Sequence, residues 1–246
     1  MLEGLAGAIE KIRELAVSAE EPKVLQIDDD KYINHDLRKI KPEQCECMGL
    51  NTLKSTVDFI REVLKEQKFI APLMVNVGCN KVNVYSGLDV YLDRNHLCRT
   101  TPMLPEIEFN RYLDMESFVI QLQTCFEETV NKKNLLELVS KITDEAKVEL
   151  VDNGITQVVT QTSGTAIKSN KTLSVNPIAK LVAYRTFREV EQPEILYLLR
   201  VKDGGKIALF ENDGQAWKLE AQRNASDYLR EALTEEIAAG TVVVVG

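Results

Sequence analysis

The strongest constraint on this fold is a pair of amphipathic helical patterns between residues 114 and 145, with short β-branched segments on both sides. Apolar side chains three or four residues apart lie on one face of an α-helix. Asp114 can cap the first helix, and the segment NKKN (131–134) separates it from the second. The apolar residues are Phe118, Leu122 and Phe126 in the first, and Leu135, Leu138, Val139 and Ile142 in the second. We therefore predict a helical pair that lies on a sheet.

Three more helices are predicted outside this pair. Residues 2–20 repeat apolar side chains at steps of four and three, and this helix ends before Pro22 because proline disrupts a helix interior. It docks either on its own core or on a sister subunit. A second helix follows Asn51, its predicted N-cap, and a last one runs around Ala225 to Ala238. The apolar residues are Leu5, Ile9, Ile12 and Ala16 in the first helix, and Leu53, Val57, Ile60 and Leu64 in the second.

Alternating and β-branched residues predict strands in the first half of the chain. Residues 69–77 and 81–92 have this pattern, and residues 23–37 read as two short strands joined by three adjacent aspartates. Three carboxylates suggest a cation site, but adjacent turn side chains diverge and the spacing of a calcium loop is absent. A solvated turn is therefore favoured for Asp28, Asp29 and Asp30.

Further strands are predicted in the second half. Residues 148–166 form a hairpin with an Asp-Asn-Gly turn. Its second strand, 155–162, is polar on both faces, which is typical of an edge or subunit-contact strand and less often of a binding wall. Two strands lie between residues 181 and 201, and KDGGK (202–206) is a hairpin turn. The terminal GTVVVVG (240–246) is an added edge strand, an assembly arm or a disordered tail.

These patterns together predict an α+β fold with mixed, largely antiparallel sheets, a central helical pair and terminal helices. We divide the chain into three parts. Residues 1–48 form an N-terminal helix and short hairpin that can serve as an assembly arm, residues 49–234 form the main α+β domain, and residues 235–246 form a C-terminal tail.

Composition limits the cellular setting. No segment approaches the roughly 20 apolar residues of a membrane span, and the N-terminus lacks the features of a signal peptide, so a cytoplasmic protein is predicted. The net charge is −8, with 26 acids and 19 bases in residues 1–150 and 12 acids and 11 bases in residues 151–246. This balance disfavours nonspecific binding to nucleic acid but leaves room for a local basic groove.

The residue chemistry predicts neither a metal site nor an enzyme. Five cysteines and two histidines lack the spacing of a zinc site, and the thiols are expected to be reduced. Glycine-rich phosphate loops and the G-x-S-x-G nucleophile motif are absent, and no cofactor is implied. His96 and Cys98 share a strand face, but residues placed in this way rarely form the hydrogen bond that activates a thiol. A site assembled from distant residues is the enzymatic alternative.

The single tryptophan, Trp217, lies in ALFENDGQAWKLEA (208–221). An Asp-Gly pair between two alternating runs predicts a hairpin in which Phe210 pairs with Trp217. In a two-residue turn Trp217 faces the more apolar side of the ribbon, so a place in the core is favoured over a ligand platform.

The segment most suited to binding an anion is YRTFREVEQP (184–193), with Tyr184, Arg185, Phe187 and Arg188. Aromatic rings stack on bases, and guanidinium groups bind phosphate. The candidate ligand-binding residues are therefore these four together with Trp217. In the alternative interpretation, which we favour, the two arginines simply pair with Glu189, Glu191 or Glu194 on a solvated face.

Several stretches resemble the YfdQ-like proteins of phages and prophages. They are TLKSTVDFI, FNRYLDMESFVIQLQTCF, GITQVVTQTSGTA, YRTFREVEQPEILYLLR and ALFENDGQAWKLEA. The resemblance covers residues 50–233. It implies a protein encoded by an early or accessory phage gene, often located near genes of replication and recombination. It supplies no catalytic residues, because the family is a domain of unknown function.

Three functions follow as hypotheses. The first is a non-enzymatic, self-assembling protein that sequesters a host or defence-related partner such as a nucleotide, with a purely structural homo-oligomer as its simplest variant. The second is an accessory factor of phage DNA replication or recombination that binds single-stranded DNA through residues 184–188. The third is an enzyme whose site is assembled from distant residues.

Overall fold

The chain divides into two compact units, Met1–Gln44 and Cys45–Gly246. The computed structural model describes residues 2–20, 24–27, 30–33, 46–89, 92–141, 147–150, 157–163, 169–175, 177–202 and 204–246. The first unit contains α1 (Leu2–Glu20) and an antiparallel hairpin of β1 (Val24–Ile27) and β2 (Asp30–Ile33). The predicted N-terminal helix and strand pair are thus confirmed, while Asp28 and Asp29 of the turn lie outside the described residues.

The second unit holds the remaining helices and strands. They are β3 (Met48–Leu50), α2 (Leu53–Glu66), β4 (Leu73–Val77), β5 (Val82–Tyr85), β6 (His96–Thr100), α3 (Met115–Cys125), α4 (Val130–Val139), β7 (Lys147–Leu150), β8 (Gln157–Ser163), β9 (Ser169–Val175), β10 (Ile178–Val182), β11 (Glu194–Lys202), β12 (Lys206–Glu211), α5 (Trp217–Ala232), α6 (Thr234–Ala238) and β13 (Val242–Val245). The predicted α+β class with a central helical pair is confirmed. Among the described residues, no helix combines the length and apolar character that crossing a membrane requires.

Three sheets organise the second unit. A five-stranded sheet has the order β13-β4-β5-β6-β3, with parallel pairs β13–β4 and β3–β6 and antiparallel pairs between. The other two, β10-β11-β12 and β7-β8-β9, are antiparallel. The valine-rich tail is therefore an edge strand. The prediction of an edge position for 155–162 is wrong, because β8 pairs with strands on both sides and side-chain polarity does not report backbone pairing.

The five-stranded sheet packs against α2 and α5 through one hydrophobic core. Alternate residues of β4 point into that core, as the period of a strand requires. Between α2 and β6, the buried hydroxyls of Thr56 and Thr100 share a hydrogen bond of 2.6 Å. The helix is capped by Thr52, whose Oγ1 accepts from the Ser55 N–H, so the predicted Asn51 cap is displaced by one residue.

A second hydrophobic core joins α3 and α4 to the β10-β11-β12 sheet, which confirms the predicted helical pair on a sheet. Asp114 caps α3, and hydrogen bonds from Ser117 lower the pKa of its carboxyl group. The break between the helices is at 126–129 rather than at NKKN, which lies inside α4. Lys132 explains the difference: its buried ammonium donates to the carbonyls of Gln123 and Phe126, where α3 ends. Ile142 lies outside the described residues.

Replacing Thr129 with alanine is expected to lower the free energy of unfolding by about 1 kcal/mol. Thr129 Oγ1 accepts from the Lys132 N–H at 3.1 Å, so the substitution removes the N-cap of α4. Urea denaturation measures the change. Asn131→Ala, an exposed substitution in the first turn of the same helix, is the matched control and should stay within about 0.5 kcal/mol of the parent. Equal stability of Thr129→Ala and the control would show that the cap does not stabilise this helix.

The predicted hairpin at 207–221 is wrong, because residues 217–232 form α5. Asp213 accepts from the Gln215 and Trp217 N–H groups, and positive φ angles at Gly214 and Gln215 turn the chain into the helix. The helical spacing of Trp217, Ala221, Ala225 and Leu229 explains this outcome. The first two residues enter the core beneath α3 and α4, and the last two enter the core beneath the five-stranded sheet. A four-residue stripe that spans both cores overrides a short local alternation.

Candidate ligand-binding cleft

The candidate residues of 184–188 follow β10 and divide between a cleft and the core. Tyr184 and Arg185 line a cleft together with Trp217, although Trp217 is distant in sequence. Phe187 is fully buried in the core of the five-stranded sheet, so its predicted role in binding is wrong. Arg188 is exposed, with its guanidinium 3.5 Å from the centroid of the Tyr184 ring.

The loop from 184 to 192 is held by one buried amide, that of Gln192. Its Oε1 accepts from the N–H groups of Arg185 and Thr186 at 3.0 and 3.1 Å. Its Nε2 donates to the carbonyls of Phe187 and Val190 at 2.8 and 3.1 Å. All four hydrogen-bonding positions of the amide are thus used, and the loop is fixed without regular secondary structure.

Arg185 is the centre of the cleft. Its guanidinium lies between two aromatic rings, 4.4 Å from the centroid of Phe109 and 4.2 Å from that of Trp217. It forms an ion pair with Glu211, at the end of β12, and both side chains are largely buried, 13% and 23% exposed. The predicted pairing of Arg185 with Glu189, Glu191 or Glu194 is therefore wrong. Of these, Glu194 pairs with Lys180, and Glu189 accepts from the first N–H groups of α2.

Two buried N–H groups around Arg185 have no hydrogen-bond partner among the described residues. They are Arg185 Nη1 and Trp217 Nε1. The Tyr197 hydroxyl lies close to Arg185, and burial raises its pKa, so it keeps its proton. In folded proteins the large majority of buried polar groups are hydrogen-bonded to protein or water. Two unpartnered N–H groups side by side therefore indicate a place for water or a ligand.

The cleft has a volume of about 220 Å³ and walls of mixed character. Leu104, Pro105 and Ile107 supply apolar surface, and the Asn80 amide supplies a donor and an acceptor. No carboxylate lines it among the described residues, and Glu211 balances the charge of Arg185. Beside the cleft, Arg188 has no carboxylate partner in the described part of the chain. The interior of the cleft is thus neutral overall and contains N–H donors, and the Arg188 guanidinium lies beside it without a carboxylate partner among the described residues.

Trp217 serves the core and the cleft together. It is only 7% exposed and belongs to the hydrophobic core of α3 and α4, as the sequence favoured. Arg185 covers part of the ring, so Trp217 is not an open platform on which a base stacks. Trp217 nevertheless lines the cleft, and its buried indole N–H has no hydrogen-bond partner among the described residues.

The pair His96 and Cys98 does not form a nucleophilic site. Cys98 is fully buried against α2, and burial raises the pKa of its thiol to about 12, so the thiolate is not available at neutral pH. His96 stacks on Tyr85 with ring centroids 4.8 Å apart. Within the part of the chain that the structure describes, no three His, Cys, Asp or Glu side chains group as a metal site would require.

Sequence reasoning missed five lining residues of the cleft and two residues that hold Arg185 in place. The lining residues are Asn80, Leu104, Pro105, Ile107 and Phe109, and the other two are Gln192 and Glu211. Phe109 and Glu211 lie 76 and 26 residues from Arg185 in the sequence. No local pattern connects them, because the contact depends on how α5 and two sheet segments pack.

No protein-family model matches this chain, and neither a curated protein nor a solved structure matches it.

Proposed function

We propose that this chain is a non-enzymatic, self-assembling accessory protein of a phage or prophage, and that it sequesters a nucleotide in the cleft around Arg185. The observation that carries the proposal is a pair of buried N–H groups, Arg185 Nη1 and Trp217 Nε1, that have no hydrogen-bond partner among the described residues and belong to residues that line a partly apolar cleft. A nucleobase presents carbonyl and ring-nitrogen acceptors on a flat apolar body, which matches such a site.

The base, rather than the phosphate, is assigned to the interior of the cleft. Arg185 is already neutralised by Glu211, so the interior offers donors without net charge. A buried phosphate would place two negative charges near one guanidinium. The volume of about 220 Å³ is smaller than the cavities that enclose whole drug-sized ligands, so the cleft holds one end of a nucleotide.

The phosphate is assigned to Arg188. This guanidinium is exposed, rests on Tyr184 and has no carboxylate partner among the described residues. A guanidinium fork binds phosphate oxygens in pairs, and stacking on an aromatic ring restricts its orientation before the ligand arrives. The protein has a net charge of −8, which disfavours general attraction of polyanions such as nucleic acids. A local cation at Arg188 can therefore select a ligand that carries a phosphate and also fits the cleft.

Self-assembly is supported by the exposed apolar side chains of α1. Ile9 and Ile12 are 60% and 66% exposed and lie three residues apart, on one side of the helix. Exposed apolar surface of this kind is commonly covered in an oligomer. Native mass spectrometry of the full chain tests this part of the proposal: a discrete oligomer supports it, and a monomer at micromolar concentration contradicts it.

Replacing Arg188 with alanine is expected to weaken the binding of nucleoside monophosphates about 5- to 10-fold, because it removes the phosphate contact and leaves the base contacts in place. The single tryptophan lies in the cleft, so its fluorescence during titration with each of the four monophosphates measures binding directly. The salt dependence of binding should also decrease in this variant.

Arg223→Ala is the matched control, because Arg223 is an exposed arginine of α5 that does not line the cleft. It should leave the affinity within about twofold of the parent protein. A parent protein whose tryptophan fluorescence does not respond to any monophosphate would contradict the proposal. Tighter binding of single-stranded oligonucleotides than of monophosphates, lost in Arg188→Ala, would instead favour the accessory role in phage DNA replication.

A further inference from the structure

A second cavity lies at the edge of the five-stranded sheet, beside β3. Its volume is about 540 Å³, within the range of cavities that bind small molecules. The edge strand and the residues on either side of it, Cys47 to Asn51, form one side, and His96, Arg99 and Thr101 form the other. None of the residues of the Arg185 cleft takes part, so the two cavities are independent.

Two nitrogen-bearing side chains in this cavity have no partner within the part of the chain that the structure describes. The Nε2 atom of His96 is buried and has no hydrogen-bond partner there, while stacking on Tyr85 restrains the ring. Arg99 is exposed and forms no ion pair among the described residues. Buried polar nitrogens rarely lack a hydrogen-bond partner, so we expect water or a ligand next to His96 in this cavity.

The charge of the cavity is positive although the protein is acidic. No aspartate or glutamate lines it among the described residues, so the Arg99 guanidinium is not neutralised locally. A cavity lined by charge of one sign raises the local concentration of counter-ions, so Arg99 favours a small anion there.

Gly49 keeps the space next to Arg99 open. The two residues are partners in the register of β3 and β6, so side chains at these positions lie on the same face of the sheet. A Cβ atom added at Gly49 would meet nothing within 4 Å. A larger side chain here would therefore fill the cavity without straining the strand.

We propose that this cavity binds a small anion with a carboxylate or phosphate group. Arg99 pairs with the negative charge, the neutral or protonated His96 donates to the same group through Nε2, and the rest of the ligand occupies the space beside Gly49. Both donors are suited to either anion, so the carboxylate and phosphate sources are distinguished by experiment.

Cys47 makes the test direct, because it is exposed and lines the cavity. The rate at which iodoacetamide alkylates Cys47 is measured by mass spectrometry of the full chain after digestion, with succinate in one series and inorganic phosphate in another, at matched ionic strength. At ten times its dissociation constant, the bound anion is expected to slow alkylation about tenfold. Cys79, which lies outside this cavity, is the internal reference and should react at an unchanged rate.

Two variants separate binding from folding. Arg99→Gln removes the charge and should abolish protection, and Gly49→Val should abolish it by filling the space while the unfolding midpoint stays near that of the parent. Saturable protection by succinate alone assigns a carboxylate ligand, and protection by phosphate alone assigns a phosphate ligand. Equal Cys47 alkylation rates with and without both anions, or protection that persists in Arg99→Gln, would overturn the proposal.

Discussion

Replacing Arg185 with methionine is expected to lower the free energy of unfolding by about 3 kcal/mol, because it leaves the largely buried Glu211 carboxylate without its partner. Methionine preserves most of the packing between Phe109 and Trp217, so the loss reports chiefly on charge. The effect should be among the largest of any polar substitution in the chain. Urea denaturation followed by the fluorescence of Trp217 measures it at the site itself.

A double-mutant cycle gives the prediction its control. Glu211→Gln removes the opposite charge, and the double variant Arg185→Met with Glu211→Gln should regain a large part of the stability that Arg185→Met loses. Exposed ion pairs contribute about 0–1 kcal/mol. A loss below 1 kcal/mol in Arg185→Met, with no recovery in the double variant, would show that Arg185 and Glu211 do not form a buried pair.

Replacing Gln192 with alanine is expected to lower the free energy of unfolding by about 3 kcal/mol, since it removes the acceptor of two backbone N–H groups and a donor to two carbonyls in a partly buried loop. The Phe187 carbonyl keeps the Val190 N–H as a partner. Nucleotide binding should weaken as well, because the same loop positions Arg185 and Arg188. Urea denaturation measures stability, and amide hydrogen exchange at Arg185 and Thr186 should accelerate.

Gln192→Glu separates the contribution of the hydrogen bonds that the amide accepts from that of the hydrogen bonds that it donates. A carboxylate can still accept from the N–H groups of Arg185 and Thr186 but cannot donate to Phe187 and Val190, so an intermediate loss is expected. Gln123→Ala, an exposed substitution on α3, is the control and should be near neutral. Unchanged exchange at Arg185 and Thr186 in Gln192→Ala would contradict the role of this amide.

The cleft and the edge cavity differ in how their donors are held, and this difference makes their tests independent. In the cleft, Arg185 is neutralised and immobilised by Glu211 and two rings, so the interior selects a neutral acceptor. In the edge cavity, Arg99 has no ion-pair partner among the described residues, so an anion is favoured. Failure of nucleotide binding in the cleft would therefore leave the anion proposal unaffected.

The elements that follow from the sequence are those whose pattern is local and strong. Spacing of three and four residues determined α1, α2 and α3, and side-chain chemistry determined the Asp114 cap. Alternation determined β4 and β5, and the glycines of KDGGK determined the turn between β11 and β12. The helices, the cap and the turn satisfy their backbone hydrogen bonds within a few residues, so the distant chain has little influence on them. The strands differ, because β4 also pairs with β13 near the other end of the sequence.

The sequence also determined that Arg185 and Arg188 lie next to aromatic residues, but not which contacts they make. Only the tertiary structure decided that Trp217 begins a helix, that Arg185 pairs with Glu211, that Phe187 enters the core and that β8 is an interior strand. The physical reason is the same in each case. These outcomes depend on which distant surfaces become buried together, and the free energy of that burial exceeds the local preferences of a few residues.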